Sequence, residues 1–340
     1  MKVLILKRDK LGDLLLTTPL FRALREQQRD ARIDLLASQY NAWVAEGNRH
    51  LDRILSYRRV RVGKRVSPRA VLEQARLFLQ LRREQYDVVI VAQGEDSPRA
   101  VERALWTGAR RVISYVDGTH RYGSRLTDPL ALPGEAHEAA RLLGLLRPLG
   151  IDATLRDVAP EFHLPPVAAQ FASEWLSRHQ LAPQRYAVLG LGARRPRKQP
   201  TAEQIVRWIA RLHDTHALAT VFMWTPGDKD NALYPGDDAT ATAVLDAAPP
   251  GLVPFRGPLI PALGLIWSAR TSIFPDSGLM HFASASPGAV VGLFGDAPDF
   301  AEKWRPLGTG SRHLVAAQVS DIADDDVFAA LAAVLAARSG

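Results

Sequence analysis

The α/β character of this chain is clearest at residues 274–282, which read Phe-Pro-Asp-Ser-Gly-Leu-Met-His-Phe. This segment follows the apolar run 263–266 and precedes a second strand-like run, 289–295. The pattern predicts a strand that ends in Asp-Ser-Gly and turns directly into a helix. Such a turn presents unpaired backbone N–H groups at the positive end of a helix dipole, which suits a phosphate group. His281, one turn into the helix, is predicted to contact this phosphate, and a histidine satisfied within the helix is the alternative.

A second polar cluster is predicted near the N-terminus, where the strand 3–7 is followed by Lys-Leu-Gly-Asp at 10–13. Polar residues at strand ends in both halves of an α/β chain suggest a ligand held across a cleft. Asp13 is expected at the cleft edge of the first strand, and a helix N-cap is the alternative reading of this residue. Pro19 fits either the first position of a helix capped by Thr18 or a kink in a helix that begins at Asp13.

The remaining sequence repeats the alternation of strand and helix in both halves. Strands are predicted at 3–7, 33–37, 87–92, 186–191, 219–224, 272–274 and 290–294, and helices at 14–28, 71–83, 136–149, 201–213, 263–269, 279–284 and 321–337. This rhythm predicts two Rossmann-like, doubly wound parallel sheets that face each other across a cleft. Prolines near 159–166 mark the linker, so the domains are predicted as 1–165 and 166–340, with the option that the last helix packs back on the first domain.

Composition limits the function classes. The 340 residues are 47% hydrophobic and 23% charged, which is ordinary for a globular protein. The longest apolar runs are shorter than the roughly 18 residues of a membrane span, and a strand at the N-terminus leaves no room for a signal peptide. The chain has no cysteine, which excludes disulfides and thiolate metal sites. We therefore expect a cytoplasmic protein.

The positive charge is concentrated in the first half. Residues 1–160 contain 28 Lys and Arg against 19 Asp and Glu, whereas residues 161–340 contain 15 against 17. The densest block, 58–69, has six basic residues and no acid: Arg58, Arg59, Arg61, Lys64, Arg65 and Arg69. Such a field attracts polyanions, namely nucleic acid, anionic lipid or an acidic glycan. A solvated loop is the alternative for the block alone.

Two further strand ends carry polar residues. The segment 190–200 has a small-residue turn and then four cations, a geometry that suits an anion, although a basic turn is the alternative. It lacks the Gly-Lys-Ser/Thr of a Walker loop and the third glycine of a dinucleotide fingerprint, which disfavours a nicotinamide-dependent dehydrogenase. The segment 224–230 follows another strand, and Asp228 there is expected to hold a ribose. Asp228 with Asp230 could instead bind a divalent metal.

Together these motifs resemble glycosyltransferase family 9, the ADP-heptose:lipopolysaccharide heptosyltransferases and their relatives. Residues 7–19 resemble its Leu-Gly-Asp opening with the later Thr-x-Pro, residues 276–285 resemble its Asp-Ser/Thr-Gly-x-x-His signature, and Phe-Gly at 294–295 followed by 304–308 resembles its ending. The resemblance covers nearly the whole chain. The sequence departs from the family at 194–200, where Arg194 and Arg195 replace the usual hydroxyl residues before the lysine.

The resemblance implies a GT-B architecture and inverting, metal-independent transfer of a heptose from ADP-heptose to a lipopolysaccharide-core or related glycan. It implies Asp13 as the general base and Lys198 as the cation that stabilises the departing diphosphate. Donor-binding residues are then expected to be Gly192, Ala193, Arg194, Lys198, Trp224, Asp228, Asp276, Ser277, Gly278 and His281. Acceptor-binding residues are expected to be Lys7, Arg8, Lys10, Gly12, Arg58, Arg59, Arg61, Lys64 and Arg65.

No cofactor is expected, since the ADP-sugar is a substrate. The expected partners are the nucleotide sugar and an anionic lipid-linked glycan, with peripheral contact to the cytoplasmic face of the inner membrane and no nucleic acid. Two alternatives stay open: a GT-B transferase that uses another nucleotide sugar, and a non-catalytic polyanion-binding protein whose affinity would collapse with salt.

Overall fold

The computed structural model describes residues 1–337 except 59, 63–64, 119–120, 135, 156–158, 193–194 and 229–235, and it describes only the backbone of 61–62 and 65–66. The chain divides into two compact units, Met1–His163 and Leu164–Gly340. None of the helices in the described ranges is long and apolar enough to cross a membrane.

The first unit alternates strands and helices. Its strands are β1 (Lys2–Lys7), β2 (Arg32–Ser38), β3 (Arg53–Tyr57), β4 (Arg61–Val62), β5 (Arg65–Val66), β6 (Val88–Val91), β7 (Arg111–Val116) and β8 (Asp128–Ala131). Its helices are α1 (Leu11–Leu15), α2 (Thr18–Gln27), α3 (Pro68–Glu84), α4 (Pro98–Trp106) and α5 (Glu138–Gly144). Short 3-10 turns occupy Ala42–Ala45, Gly123–Arg125 and Arg147–Leu149.

The second unit repeats the pattern. Its strands are β9 (Tyr186–Gly190), β10 (Ala219–Met223), β11 (Leu252–Phe255), β12 (Thr271–Pro275), β13 (Ala289–Gly295) and β14 (Ser311–Ala316). Its helices are α6 (Pro166–Arg178), α7 (Ala202–His216), α8 (Asp238–Ala247), α9 (Leu259–Ser268), α10 (Gly278–Ala285), α11 (Pro298–Trp304) and α12 (Asp324–Ala336). The 3-10 turns are Pro196–Lys198 and Val319–Asp321, and α12 lies against β13 and β14.

Both large sheets have the strand order of a Rossmann fold. The first runs β3-β2-β1-β6-β7-β8 and the second β11-β10-β9-β12-β13-β14, with every neighbouring pair parallel. The chain direction across the sheet reverses between β1 and β6 in the first and between β9 and β12 in the second. Ligands of such sheets bind outside the carboxyl ends of the strands at this point. The predicted fold class of two Rossmann-like, doubly wound domains is confirmed.

The helix predicted over 14–28 is two helices, α1 and α2. Pro19 has no N–H and cannot donate to the carbonyl of Leu15, so the helical ladder is interrupted there. The Thr18 hydroxyl donates to the Leu15 carbonyl instead (2.8 Å), and Thr17 donates to the carbonyl of Asp13 (2.8 Å). Pro19 is therefore neither a kink nor the first helical residue, because Thr17 is the N-cap and Pro19 is the second residue of α2.

Other boundaries also differ from the predicted ones. The helix expected at 136–149 is confined to α5 and a 3-10 turn, Arg147–Leu149. Thr201 is the N-cap of α7 as predicted: its hydroxyl accepts from the Gln204 N–H (3.2 Å), while the Gln204 side chain accepts from the Thr201 N–H (3.0 Å). This reciprocal capping box satisfies two donors at the start of the helix.

A buried charge cluster stabilises the first sheet. Asp34 on β2 is fully buried, and its carboxylate accepts hydrogen bonds from Tyr86 (2.6 Å) and Arg53 (3.0 Å) and pairs with Arg32 at 3.2 Å. Arg53 also donates to Glu84 at 2.8 Å, and this hydrogen bond is the main reason why the pKa of Glu84 lies below its ordinary value. Removing one partner from a buried ion pair is strongly destabilising because it leaves an uncompensated charge.

Candidate functional site

The predicted phosphate site of the second unit lies where its sheet reverses direction. The loop after β9 carries Gly192 and Lys198, and the loop after β12 carries Asp276 and Ser277. β9 and β12 are adjacent strands in parallel register, so the two loops leave the same edge of the sheet side by side. The fold thus brings together residues that are far apart in the sequence and that were predicted to bind the donor.

Two glycines allow this close approach. A Cβ at Gly190, the last residue of β9, would lie 2.2 Å from the Phe274 ring on β12, so a side chain there is sterically excluded. Gly192 has φ of +22°, outside the range that other residues favour, and a Cβ on it would lie 3.6 Å from the Ser277 hydroxyl. The turn after β9 therefore passes directly beside the start of α10.

Lys198 is the centre of this site. Its side chain is buried, and its Nζ lies 2.6 Å from Asp276 Oδ2 and 3.4 Å from Asp296 Oδ2. The same ammonium lies 4.2 Å from the ring centroid of Phe300, which is a cation–π contact. Three groups from three segments thus fix one cation at the sheet edge.

Asp296, directly after β13, completes the cluster. Burial alone would raise its pKa, but the Ala297 N–H, Lys198 and Arg197 outweigh burial and hold the pKa below the ordinary value. Arg197 donates to Asp296 at 2.9 Å, and a Cβ at Gly295 would lie 2.0 Å from the Arg197 carbonyl oxygen. The 3-10 turn that carries Lys198 is therefore packed tightly on the end of β13.

The start of α10 offers the anion-binding groups expected from the sequence. Ser277 is the N-cap, but its side chain makes no capping bond, and its buried Oγ has no hydrogen-bond partner among the described residues. The next residue, Gly278, has open space where a Cβ would be. The first backbone N–H groups of α10 thus have no side-chain cap, and the helix starts at an exposed residue. His281 is buried in the same helix, with 5% of its surface exposed.

Asp237 and Asp238, rather than the predicted Asp228, hold the loop after β10 in place through their side chains. Asp238 accepts from the indole N–H of Trp224 (2.8 Å) and the backbone N–H of Gly227 (2.9 Å). Asp237 is buried and accepts from Gln199 Nε2 at 2.6 Å; burial raises its pKa, against the effect of that bond. Asp228 is exposed, and its backbone carbonyl accepts from Gly236.

In the first unit, Asp13 is the third residue of α1 rather than its N-cap. Its half-buried carboxylate accepts from the backbone N–H of Lys10 at 2.9 Å, so it caps the helix from within the first turn. Gly12 is buried in the same helix.

The three predicted cations near this helix differ in exposure. Lys10 is exposed, whereas the Lys7 side chain is buried with its Nζ 3.2 Å from Asp9. Arg8 is half-buried, and its Nε has no hydrogen-bond partner in the part of the chain that is described.

Within the basic block 58–69, the described cations are paired. Arg69 Nε lies 2.8 Å from Glu73 on α3, and Arg58 Nε lies 3.8 Å from the same residue. Exposed pairs of this kind contribute little to stability but partly neutralise the local field. Several predicted site residues lie outside the described residues: Ala193, Arg194, Asp230, Arg59 and Lys64 entirely, and Arg61 and Arg65 in their side chains.

Four residues that hold the predicted site residues or their loops in place were not predicted from the sequence: Asp296, Phe300, Asp237 and Asp238. Asp296 could have been found, since it follows a predicted strand as Asp276 does. The two aspartates at the start of α8 gave no such signal, because they reach the β10 loop only through the fold. No group of three or more metal-ligating side chains occurs within the described ranges.

Comparisons with known proteins identify the family of the chain. Residues 74–324 match the model of glycosyltransferase family 9 (heptosyltransferase). The chain is 26% identical over 308 residues to lipopolysaccharide heptosyltransferase 3 of Escherichia coli, covering 87% of this chain and 83% of that protein.

Solved structures resemble the fold along its whole length. A family 9 glycosyl transferase from Veillonella parvula has a TM-score of 0.81 at 19% identity, covering 98% of this chain and 97% of that one. The E. coli ADP-heptose lps heptosyltransferase II has a TM-score of 0.74 at 21% identity over all of both chains. The E. coli heptosyltransferase WaaC with ADP has a TM-score of 0.72 at 17% identity, covering 98% and 100%. Because the family model spans well over half of the 340 residues, the chain belongs to glycosyltransferase family 9, the heptosyltransferase family, and is a glycosyltransferase.

Proposed function

We propose that this protein transfers a heptose from ADP-heptose to a lipopolysaccharide-core or related bacterial glycan, with inversion at the anomeric carbon and without a metal. The observation that carries the proposal is the ion pair of the buried Lys198 with Asp276, which directly precedes the uncapped start of α10 at the point where the second sheet reverses direction. A buried ammonium and unpaired helix N–H groups together suit a diphosphate.

In this mechanism an acceptor hydroxyl attacks the anomeric carbon from the face opposite the diphosphate. A new C–O bond forms as the bond to the diphosphate breaks, ADP leaves, and the hydroxyl proton passes to the Asp13 carboxylate. The transition state has oxocarbenium character by analogy with glycoside hydrolysis, so charge grows on the leaving diphosphate. Lys198 and the N–H groups of α10 stabilise this charge, a role that a divalent metal fills elsewhere.

The remaining donor contacts are proposed from the loops around Lys198. The Asp228 carboxylate binds the ribose, and Trp224, Gly192, Ala193, Arg194 and His281 complete the donor site. Support comes from the Trp224 indole, which Asp238 fixes in place at the end of β10, where nucleotide sites of doubly wound sheets take their ribose contacts. Asp276 orders the turn and holds Lys198 rather than binding phosphate, because like charges repel.

The acceptor is proposed to be an anionic, lipid-linked glycan bound by the first unit at the cytoplasmic face of the inner membrane. Its proposed ligands are Lys10 and the basic residues of the block 58–69, with Lys7 and Gly12 shaping the turn around Asp13. Support comes from the excess of 28 basic over 19 acidic residues in 1–160. Long-range attraction of this kind favours an anionic surface.

Calorimetric titration of the full chain with ADP, ADP-heptose and UDP-sugars tests the donor assignment. We expect ADP and ADP-heptose to bind and UDP-sugars to bind at least about tenfold more weakly, since a ligand-specific set of hydrogen bonds discriminates by this order. Saturable binding of UDP-sugars alone would assign the chain to another nucleotide sugar. The anomeric configuration of the product, read by NMR, tests inversion.

A further inference from the structure

Three arginines of the first unit lie near the carboxyl edge of its sheet. Arg8 directly follows β1, and Arg99 and Arg103 lie on α4, the helix that follows the neighbouring strand β6. α4 buries Ala100 and Ala104 in the core of this unit. The strand order reverses between β1 and β6, so these residues surround the position where a doubly wound sheet binds its ligand.

Buried donors without partners are concentrated here. Arg8 Nε, Gln93 Nε2 and Arg103 Nη1 are all buried and lack a hydrogen-bond partner within the described ranges. Gln93 is 5% exposed and follows β6 at the same end of the sheet at which Arg8 follows β1. Buried polar groups in native structures are nearly always satisfied, so each such group requires an explanation.

The arginines also lack counter-charges. No ion pair joins Arg8, Arg99 or Arg103 to a carboxylate of the described residues, whereas Arg53 and Arg111 of the same unit have carboxylate partners at 2.8 and 2.6 Å. The Arg103 guanidinium instead lies 4.9 Å from the ring centroid of Tyr57, at the end of β3. Burial lowers the pKa of Arg103, and the charges of Arg8 and Arg99 lower it further against the opposing effect of Tyr57. The cations therefore repel one another unless an anion lies between them.

The neighbouring loop adds one unpaired acceptor. Asp96 Oδ1, in the loop between β6 and α4, is buried and has no partner among the described residues. A ligand that forms hydrogen bonds with all of these groups must offer several acceptor oxygens to the arginines and at least one hydroxyl donor to Asp96. A phosphorylated sugar has both: its phosphate monoester carries close to two negative charges at neutral pH and forms bidentate bonds with guanidinium groups.

We propose that Arg8, Gln93 and Arg103 form a binding site for a phosphate monoester on a sugar, with Arg99 at its exposed rim. A carboxylate carries a single charge and would leave one of the two half-buried guanidinium groups unneutralised. The assignment of this phosphate to the glycosyl acceptor rests on the proposed function. The binding of a phosphorylated sugar to the first unit does not depend on that function.

Titration with glucose 6-phosphate tests the site without transfer. NMR of the full chain, with glucose and acetate as parallel ligands, should show saturable binding of glucose 6-phosphate and none of the other two. Arg8→Gln and Arg103→Gln should each weaken binding at least about tenfold, as expected for loss of a charge-assisted bidentate contact. Arg29→Gln, an exposed arginine next to the opposite end of β2, is the matched control and should bind as the wild type does.

Additional variants keep the test decisive. Arg103→Lys retains the charge but not the planar fork, so it should bind less well than the wild type and better than Arg103→Gln. If Arg103→Gln does not fold, as judged by its thermal unfolding, Arg8→Gln and Arg103→Lys carry the comparison. Lys198→Ala should leave glucose 6-phosphate binding intact. Binding that disappears only in Lys198→Ala, or that is unchanged in the Arg8 and Arg103 variants, overturns the proposal.

Transfer assays test whether the glycosyl acceptor carries this phosphate. Phosphatase treatment of the glycan acceptor should raise KM for the wild type but leave KM unchanged for Arg8→Gln, whose KM is already high. Equal KM for the treated and untreated acceptor in the wild type, together with intact glucose 6-phosphate binding, would reject the acceptor as the source of the phosphate. Absence of transfer to any acceptor would instead count against the proposed function and leave the titration result standing.

Discussion

The ammonium of Lys198 lies 2.6 Å from the carboxylate of Asp276, a residue 78 positions away in the sequence. The pair joins the loop after β9 to the loop after β12, and Asp296 contacts the same ammonium from the end of β13. The lysine is thus fixed before any ligand arrives. Preorganisation of this kind lets a charge act on a transition state without the cost of reorienting it.

The first prediction concerns this lysine. Lys198→Ala removes the cation and leaves the Asp276 carboxylate without its ammonium partner beside the diphosphate position, while Asp296 keeps Arg197. ADP affinity should therefore fall by at least about tenfold, the scale seen when one partner of a buried charge pair is removed. Isothermal titration with ADP measures the change. Arg211→Ala is the matched control, because Arg211 pairs with Asp325 on α12 at 2.6 Å. Unchanged ADP affinity in Lys198→Ala and also in His281→Ala would move the diphosphate to another position.

The second prediction separates catalysis from helix capping at Asp13. Asn has a side-chain oxygen that can still accept from the Lys10 N–H, so Asp13→Asn should fold with nearly the stability of the wild type. It cannot accept the acceptor proton, and loss of a general base typically lowers turnover by about 10²–10⁴-fold. ADP affinity should stay within a few-fold. Wild-type turnover in Asp13→Asn would leave this residue only its capping role.

The third prediction is that transfer continues in excess EDTA. Lys198 and the start of α10 supply positive charge at the proposed diphosphate site, so no divalent ion is needed there. Asp228→Asn should likewise retain activity in EDTA, with at most a higher KM for the donor. Activity that is lost in EDTA and restored by Mg²⁺ or Mn²⁺, with a higher metal concentration needed by Asp228→Asn than by the wild type, would identify Asp228, with Asp230, as metal ligands.

The fourth prediction concerns stability at low pH. The Arg53 hydrogen bond is the largest cause that holds the pKa of Glu84 below its ordinary value of 4.5 in the folded chain. The unfolded chain therefore binds the proton more readily, and the stabilisation present above pH 4.5 is lost as the pH falls through the folded pKa. Denaturant unfolding between pH 7 and about pH 3 should show this loss. Glu84→Gln should be less stable than the wild type at pH 7, and its free energy of unfolding should change less with pH. Glu95 is exposed, and Glu95→Gln should show the same pH dependence as the wild type.

The sequence predicted central strands better than edge strands. β1, β6, β9, β12 and β13 are almost completely buried, so they appear as continuous apolar runs. The four edge strands, β3, β8, β11 and β14, are only partly buried and were not predicted. The interior strand β7 is as buried as β1 but was also not predicted, because Ser114 and Tyr115 interrupt its apolar run. A candidate residue could be found from the sequence where it directly follows a buried strand, as Asp276 does. The pairing of Lys198 with Asp296, and the contacts of Asp238, depend on tertiary packing and have no local pattern.

The last prediction concerns the basic block. Arg58 and Arg69 pair with Glu73, which partly neutralises their charges, so the replacement is made at the other four basic residues, Arg59, Arg61, Lys64 and Arg65. Each basic residue near an anionic membrane contributes about 1 kcal/mol, an effect that falls off within a Debye length. Replacing the four by Gln should raise KM for a lipid-linked acceptor at least about tenfold at low salt, less at high salt, without changing ADP affinity. The double variant Arg58→Gln and Arg69→Gln is the control and should change KM less. A KM that is the same in the fourfold variant and the wild type at every ionic strength would show that the block does not contact the acceptor.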